Sequence, residues 1–485
     1  MPEPILSCRD LTFRYEGEPV FSHLSLSILP GEAVLLMGPS GCGKSSLAYC
    51  LSGLYPSYAG ELTGEILLEG RPLSEYAVAD RAQAVSILFQ NPDNQFCMDR
   101  VDHEILFALE NINYAGDLRR RMRQLLAMVG LEAAETALIH TLSGGTKQKL
   151  ALATALATEA KLLILDEPFA NLDPGACAAL SQKLAALNRQ GLTLLVVDHR
   201  PDYWRPFLSR VLLMDRSGSL SPEELPPGEL EAHRDAFDER GLFLDDSWLT
   251  GRCPAALPQP EEPVVEGRDI SLLHGKKVIV SHLNFQFPRG GITALVGKNG
   301  SGKTSLLTAI AGAGKYKGTL RVAAKAGLVF QNPRFQFLSL SVEEEVLTTL
   351  RTAKPGASPQ ALVEEAEVLL AEFGLLDRRE RSPYALSQGQ QRRLALLALL
   401  AGNRPLLLLD EPTYAQDERS TAFILDLLSQ RVAQGLTAVI ATHDLALAQC
   451  YANRIYLLEE GAMVPMARDE LARYAGERRP PLCAD

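Results

Sequence analysis

No apolar run in this sequence approaches the roughly 20 residues that a membrane-spanning helix requires. The nearest candidate, Leu394 to Leu409, is broken by Asn403, Arg404 and Pro405. The chain is therefore expected to be soluble and to serve any membrane process from the surface, through partner proteins. Basic residues are also in short supply: 48 Lys and Arg stand against 59 Asp and Glu, for a formal net charge of -11. Gripping nucleic acid by neutralising its phosphates needs the opposite surplus, so nucleic acid is not an expected partner. The eight cysteines include no CxxC pair and no zinc-ligand spacing with histidine, which supports neither a disulfide framework nor a metal site. Free thiols suit a reducing compartment. The opening Met1-Pro2-Glu3-Pro4 lacks the basic start and apolar core of a signal peptide.

What the sequence has is a repeat. Its 485 residues are 46% hydrophobic and 22% charged, a globular composition, and they read twice. Arg9-Asp10 recurs as Arg268-Asp269, Ser22-His23-Leu24 as Ser281-His282-Leu283, and Gly38 to Lys44 as Gly297 to Lys303, all at an offset of 259. Later landmarks, from Leu142-Ser143 and Leu386-Ser387 to His199 and His443, keep an offset of 244. Between the copies, Ser217 to Pro263 holds seven prolines and eleven acidic residues against three basic ones. That composition reads as linker, although Phe237 to Trp248 can pack a short helix onto either half. The expected division is a first domain over 1–235, a linker over 236–263 and a second domain over 264–485. Short apolar runs (Ala33 to Met37, Leu162 to Leu165, Leu192 to Val197) alternate with helix-compatible stretches (Lys147 to Glu159, Gly175 to Arg189). Such alternation predicts an α/β fold with a mainly parallel sheet in each half.

Gly38-Pro39-Ser40-Gly41-Cys42-Gly43-Lys44-Ser45 and Gly297-Lys298-Asn299-Gly300-Ser301-Gly302-Lys303-Thr304 both fit G-x-x-x-x-G-K-[ST] after an apolar run. Glycines let the backbone wrap phosphates with its N–H groups, and the following helix points its positive end at them. Lys44 and Lys303 would reach the β and γ phosphates of ATP, with the Ser45 and Thr304 hydroxyls on Mg²⁺. Ser46 and Ser305 follow directly and are counted among the nucleotide-binding residues. Two apolar strands end in acid pairs, Asp166-Glu167 and Asp410-Glu411. The first carboxylate can hold Mg²⁺, and the second can polarise an attacking water as general base. Cys42 lies at a helix N-terminus, an environment that lowers a thiol pKa, so its alkylation is expected to block ATP at the first site.

These residues resemble the motif set of ATP-binding cassette (ABC) proteins. Leu142-Ser143-Gly144-Gly145-Thr146 and Leu386-Ser387-Gln388-Gly389-Gln390 look like its signature, and Gln90 and Gln331 like its Q-loop glutamine, a metal contact. Asn171-Leu172-Asp173 looks like its D-loop, and His199 and His443 like its switch histidine, which meets the γ-phosphate. The resemblance implies two tandem P-loop NTPase domains, each with an antiparallel β part and a helical subdomain carrying the signature. It also implies that each ATP sits between the phosphate loop of one domain and the signature of the other. Ser387 and Gly389 would complete the first site, and Ser143 and Gly145 the second. Tyr15 stands where the family stacks an aromatic on adenine, whereas the second copy has His274. Gln388 replaces a signature glycine, and Tyr414-Ala415-Gln416-Asp417 replaces the usual D-loop. Neither change removes a phosphate ligand or a general base, so both sites are expected to hydrolyse ATP.

The extension FQNPDNQF from Phe89 to Phe96, echoed as FQNPRFQF from Phe330 to Phe337, narrows the resemblance to the ATPases of energy-coupling factor (ECF) transporters. That family implies a membrane T component docking after the Q-loop and a separate S component that captures a vitamin or metal ion. The chain would then lie peripherally on the cytoplasmic face of the membrane. Two alternatives are the fused ATPase of a sugar importer and a soluble tandem-cassette ATPase acting on the ribosome. The first usually has one degenerate site, and the second uses a long basic linker where this one is acidic and proline-rich.

Overall fold

In the computed structural model, which describes residues 3–169, 172–249, 252–253, 262–274, 277–413, 416–459 and 461–478, Ala33–Met37, Leu162–Asp166 and Thr193–Val197 are strands with every residue buried. A strand covered on both faces reads as an unbroken apolar run rather than an alternation. Successive side chains accordingly enter different cores. Ala33, Leu35 and Met37 join helices on one side, while Val34 and Leu36 join the antiparallel sheet on the other. These strands pair in parallel with Val85–Leu88 and Arg210–Leu213 in the order 85–88, 162–166, 193–197, 33–37, 210–213. Leu6–Arg14, Phe21–Ile28 and Glu61–Leu68 form most of the antiparallel sheet.

The second copy repeats this plan. Ala326–Val329, Leu406–Asp410, Thr437–Thr442, Ile292–Val296 and Arg454–Glu459 run parallel, with Ala462–Met466 added antiparallel at the edge. Pro263–His274, Lys277–Pro288 and Lys315–Val322 make its antiparallel sheet. In each copy three helices form a subdomain that carries the signature: Val101–Asn111, Leu118–Val129 and Gly144–Ala157, then Val342–Ala353, Pro359–Glu372 and Gln388–Ala401. The fold is thus α/β, with two tandem P-loop domains. Among the described residues no helix is long and apolar enough to cross a membrane.

Two features depart from the expectations. The compact units divide between Asp245 and Asp246, inside the stretch 236–263 read as linker, and Phe237 to Trp248 packs as the sequence allowed, in part onto each half. Phe237 on the helix Arg234–Arg240, with Leu242 and Leu244, enters the first unit's core. Leu249 enters the second unit's core, with Trp248 packed against it. Full burial of such a side chain contributes about 1.5–3 kcal/mol, which outweighs the acidic composition that suggested a linker. Residues 254–261 lie outside the described residues. The second departure is chemical: Cys253 and Cys450, 197 residues apart, form a disulfide with a Cα–Cα distance of 5.0 Å. Sequence spacing could not reveal it, because only the fold of the second unit brings the pair together. Cys8, Cys42, Cys50, Cys97 and Cys177 are free.

Candidate nucleotide-binding sites

Each phosphate loop links a buried strand to a helix, Lys44–Leu51 in the first cassette and Lys303–Ile310 in the second. The helices begin at Gly43 and Gly302, whose φ values of 105° and 103° belong to glycine. A Cβ there would lie 2.7 Å from Val20 Cγ1 or 2.9 Å from Val280 Cγ2, so no larger residue fits. Gly38 and Gly41, like Gly297 and Gly300, shape the turn ahead of them. The buried Lys44 ammonium donates to the carbonyls of Gly38 at 2.7 Å and Pro39 at 2.9 Å. Lys303 does the same to Gly297 at 2.7 Å and Lys298 at 3.0 Å. Each cation is thus held within its own loop.

The acid pairs end strands neighbouring these loops. Asp166 is fully buried, and neither of its carboxylate oxygens accepts a hydrogen bond. Burial, and then the charge of Glu167, pushes its pKa up to about 7. The Ser45 hydroxyl beside Asp166 acts against that rise, and in the same sense Asp410 Oδ2 accepts from the Thr304 hydroxyl at 2.7 Å. Burial pushes it up to about 6, against that hydrogen bond. Glu167 Oε2 accepts from Gln90 Nε2 at 2.8 Å, and Oε1 lies 3.1 Å from His199 Nε2. Glu411 Oε1 lies 3.0 Å from His443 Nδ1. Burial raises the pKa of both glutamates, but the facing histidine and the loop lysine more than offset it, so both end below the ordinary value. Burial lowers the His443 pKa, and Glu411 more than reverses this, leaving it raised. Both glutamates have left-handed backbones, with φ of 49° and 50°, and both donate their N–H to the next strand, to Val197 O and Ala441 O at 2.9 Å each.

The Gln331 carbonyl accepts from the Arg392 guanidinium at 2.9 Å. Tyr15 is 45% exposed, with its hydroxyl 2.9 Å from the Ser46 hydroxyl and its ring edge-on to Phe13. The side chain of His274 lies outside the described residues, as do Asn171, Tyr414 and Ala415. Ser143 and Ser387 are N-caps, accepting from the N–H groups of Thr146 at 3.3 Å and Gln390 at 3.4 Å. Ser387 closes a capping box with Gln390. Gly145 lies in the first turn of one signature helix and the buried Gly389 in that of the other. Asp173 and Asp417 cap the helices that follow the D-loops.

Cys42 corrects an expectation. It is 2% exposed, and burial raises its thiol pKa despite the nearby Lys44 charge. Its side chain belongs to the core beneath the loop, so the lowered pKa expected at a helix start is not found. Two positions escaped sequence reasoning. Arg392, 1% exposed, donates to Glu411 O and Gln331 O, both at 2.9 Å. Its counterpart Gln148 reaches Glu167 O at 3.5 Å. The signal was a Gln-to-Arg change between the copies six residues after each signature leucine.

A buried carboxylate without a donor is costly unless a cation or proton answers it. Asp166 beside Ser45 and a phosphate-cradling loop fits a divalent cation carried with a polyphosphate. Fold and residues together define a pair of P-loop nucleotide-binding cassettes. The family model described as ABC transporter matches residues 21–170 and 280–414, and the chain belongs to that family. It is 33% identical, over 94% of its own length and 90% of the relative's, to the "Putative HMP/thiamine import ATP-binding protein YkoD" of Bacillus subtilis (strain 168). It is 32% identical to a "Putative ABC transporter ATP-binding protein" of Methanosarcina acetivorans, over 93% of this chain and 83% of that one. Among solved structures, a chain of the "Model of ribosome-bound archaeal Pelota and ABCE1" matches with a TM-score of 0.69 and 19% identity, over 97% of this chain and 82% of that one. At that identity the likeness is one of fold.

Proposed function

We propose that this chain hydrolyses Mg–ATP at two composite sites and so drives import through membrane partners, as the fused ATPase of an ECF-type transporter. The observation that carries the ATPase reading is the contact of Glu167 with His199 and of Glu411 with His443, each beside a buried aspartate and a lysine-bearing loop. At the first site Lys44 and the loop N–H groups hold the β and γ phosphates, with the adenine against Tyr15. Ser45, Gln90 and Asp166 there, and Thr304, Gln331 and Asp410 at the second site, are the groups that would hold Mg²⁺. The ion supplies charge neutralisation on the phosphate oxygens. Glu167 or Glu411 takes the proton of the attacking water, and the facing histidine turns to the γ-phosphate. Ser387 and Gly389 complete the first site, and Ser143 and Gly145 the second, through N–H donors at a helix start.

The importer reading is supported by the named role of the Bacillus subtilis relative, which favours a vitamin over a metal ion as cargo. It is supported also by Phe335, Leu338 and Leu340, which follow Gln331 and are 78%, 85% and 92% exposed. Exposed apolar side chains in such a cluster suit a partner's surface, here the T component, with an S component capturing the cargo. The acidic balance of the chain disfavours a grip on ribosomal RNA through its phosphates.

Mg–ATPase activity of the purified chain tests the first part. Hydrolysis no faster than that of a chain carrying both Lys44→Ala and Lys303→Ala would overturn it. Cell fractionation tests the second: the chain is expected with membranes, and Phe335→Ser with Leu338→Ser is expected to release it. Sedimentation with ribosomes would overturn the importer reading.

A further inference from the structure

The two cassettes part company just after the switch histidine. In the second, Thr442 precedes His443, and Asp444 caps the helix Leu445–Tyr451 by accepting the Leu447 N–H at 3.0 Å. In the first, Asp198 precedes His199, and the chain turns instead through a short 3-10 segment, Arg205–Phe207. Asp198 Oδ1 accepts the His199 N–H at 2.6 Å and the Arg200 N–H at 3.4 Å. Its Oδ2 accepts the Trp204 indole N–H at 2.9 Å. Trp204 is fully buried and stacks on Phe169, with ring centroids 4.4 Å apart and planes within 10°. Phe169 lies two residues beyond Glu167. At the repeat offset, Thr413 and Ala448 stand where Phe169 and Trp204 do, so the second cassette lacks the stack.

We infer that Asp198, Trp204 and Phe169 form a brace peculiar to the first cassette that holds His199 against Glu167, making Asp198 and Trp204 positioning residues for hydrolysis there. The inference rests on the ATPase reading above. Core packing alone would account for the two stacked rings. It does not account for a half-buried carboxylate that accepts three hydrogen bonds, two from the backbone beside the histidine and one from the indole, placed where the other cassette has threonine. The ring stack fixes the direction of the indole N–H. That N–H fixes the carboxylate, and the carboxylate fixes the backbone N–H of His199. The segments that follow the general base and the histidine are thereby joined, so the Glu167–His199 distance of 3.1 Å is set by three residues that touch no substrate.

Steady-state Mg–ATPase kinetics of the full chain test this with Trp204→Phe, which keeps an aromatic ring and removes the N–H, and with the isosteric Asp198→Asn. The expected result is a kcat lowered at least about twofold with the KM for ATP within about twofold, the pattern of lost transition-state positioning. A second measurement uses Trp248→Phe, which leaves Trp204 as the sole tryptophan of the two present. Mg–ATP is expected to change Trp204 emission in that chain, and the change should vanish when Asp198→Asn is added. Unchanged kcat in folded variants would overturn the brace. So would a KM that rises in step with a falling thermal midpoint, the mark of a purely structural role. If the unaltered chain hydrolyses no ATP, the ATPase reading fails instead, and the emission change on Mg–ATP still decides whether the brace responds to nucleotide.

Discussion

Lys44 and Lys303 each place Nζ 2.7 Å from the first carbonyl of their loops, and Glu167 and Glu411 share a left-handed backbone within a degree of φ. Behind these matched groups the cassettes diverge. The second ties the backbones of Gln331 and Glu411 together through the buried Arg392, while the first has Gln148 and one 3.5 Å contact. The first joins its Q-loop extension to its signature helix through Asp93 and Lys147 at 2.6 Å. The second does so through Arg334 and Gln391 at 3.2 Å. Cassette one braces its histidine with Asp198, and cassette two with a capped helix. The groups that would meet ATP have been copied, and part of their support has been rebuilt, although Gln95 and Gln336 still donate to matching signature-helix carbonyls, Ala151 O at 2.9 Å and Ala395 O at 3.1 Å. Two sites can therefore run one reaction with different sensitivity to damage.

The sharpest test of equivalence is the general base. Glu167→Gln and Glu411→Gln, made separately, are each expected to lower turnover of the full chain by about 100-fold or more if the cassettes act as one machine. A silent change at either position, read by steady-state ATPase, would show that only the other site does work. Next in size, Arg392→Gln is expected to destabilise the second cassette by about 1–3 kcal/mol, because two buried carbonyls lose charged donors. Gln148→Ala should cost the first cassette less, since one long contact is lost. Urea unfolding compares the two, and equal costs would break the asymmetry argued from the distances. The smallest effect expected is that of Tyr15→Ala, a rise in the ATP dissociation constant corresponding to about 1 kcal/mol from lost stacking. Nucleotide titration checks it, and no change would mean that the adenine lies elsewhere.

Much of this was legible in the residues, for reasons that differ by element. Runs such as Leu162–Asp166 announce themselves because a strand buried on both faces carries no polar alternation. The phosphate loops are legible because only glycine tolerates a φ near 105° against Val20 or Val280. Repetition marked Asp10, His23, Asp269 and His282 without showing that each Asp–His pair meets at 2.6 Å. The packing of Phe237 to Trp248 was legible as a possibility from its apolar residues, but not the point between Asp245 and Asp246 where the two units divide, because acidic residues flank it on both sides. The Asp198–Trp204–Phe169 brace and the Cys253–Cys450 bond depend on tertiary proximity, which no local pattern encodes.

The left-handed backbone at Glu167 and Glu411 sets two kinds of selection against each other. An L-residue there costs about 1–2 kcal/mol relative to a relaxed backbone, and glycine would remove that cost together with the carboxylate. A library screened only for resistance to heat should thus enrich glycine at 167 and 411, and its hardiest members would be inert.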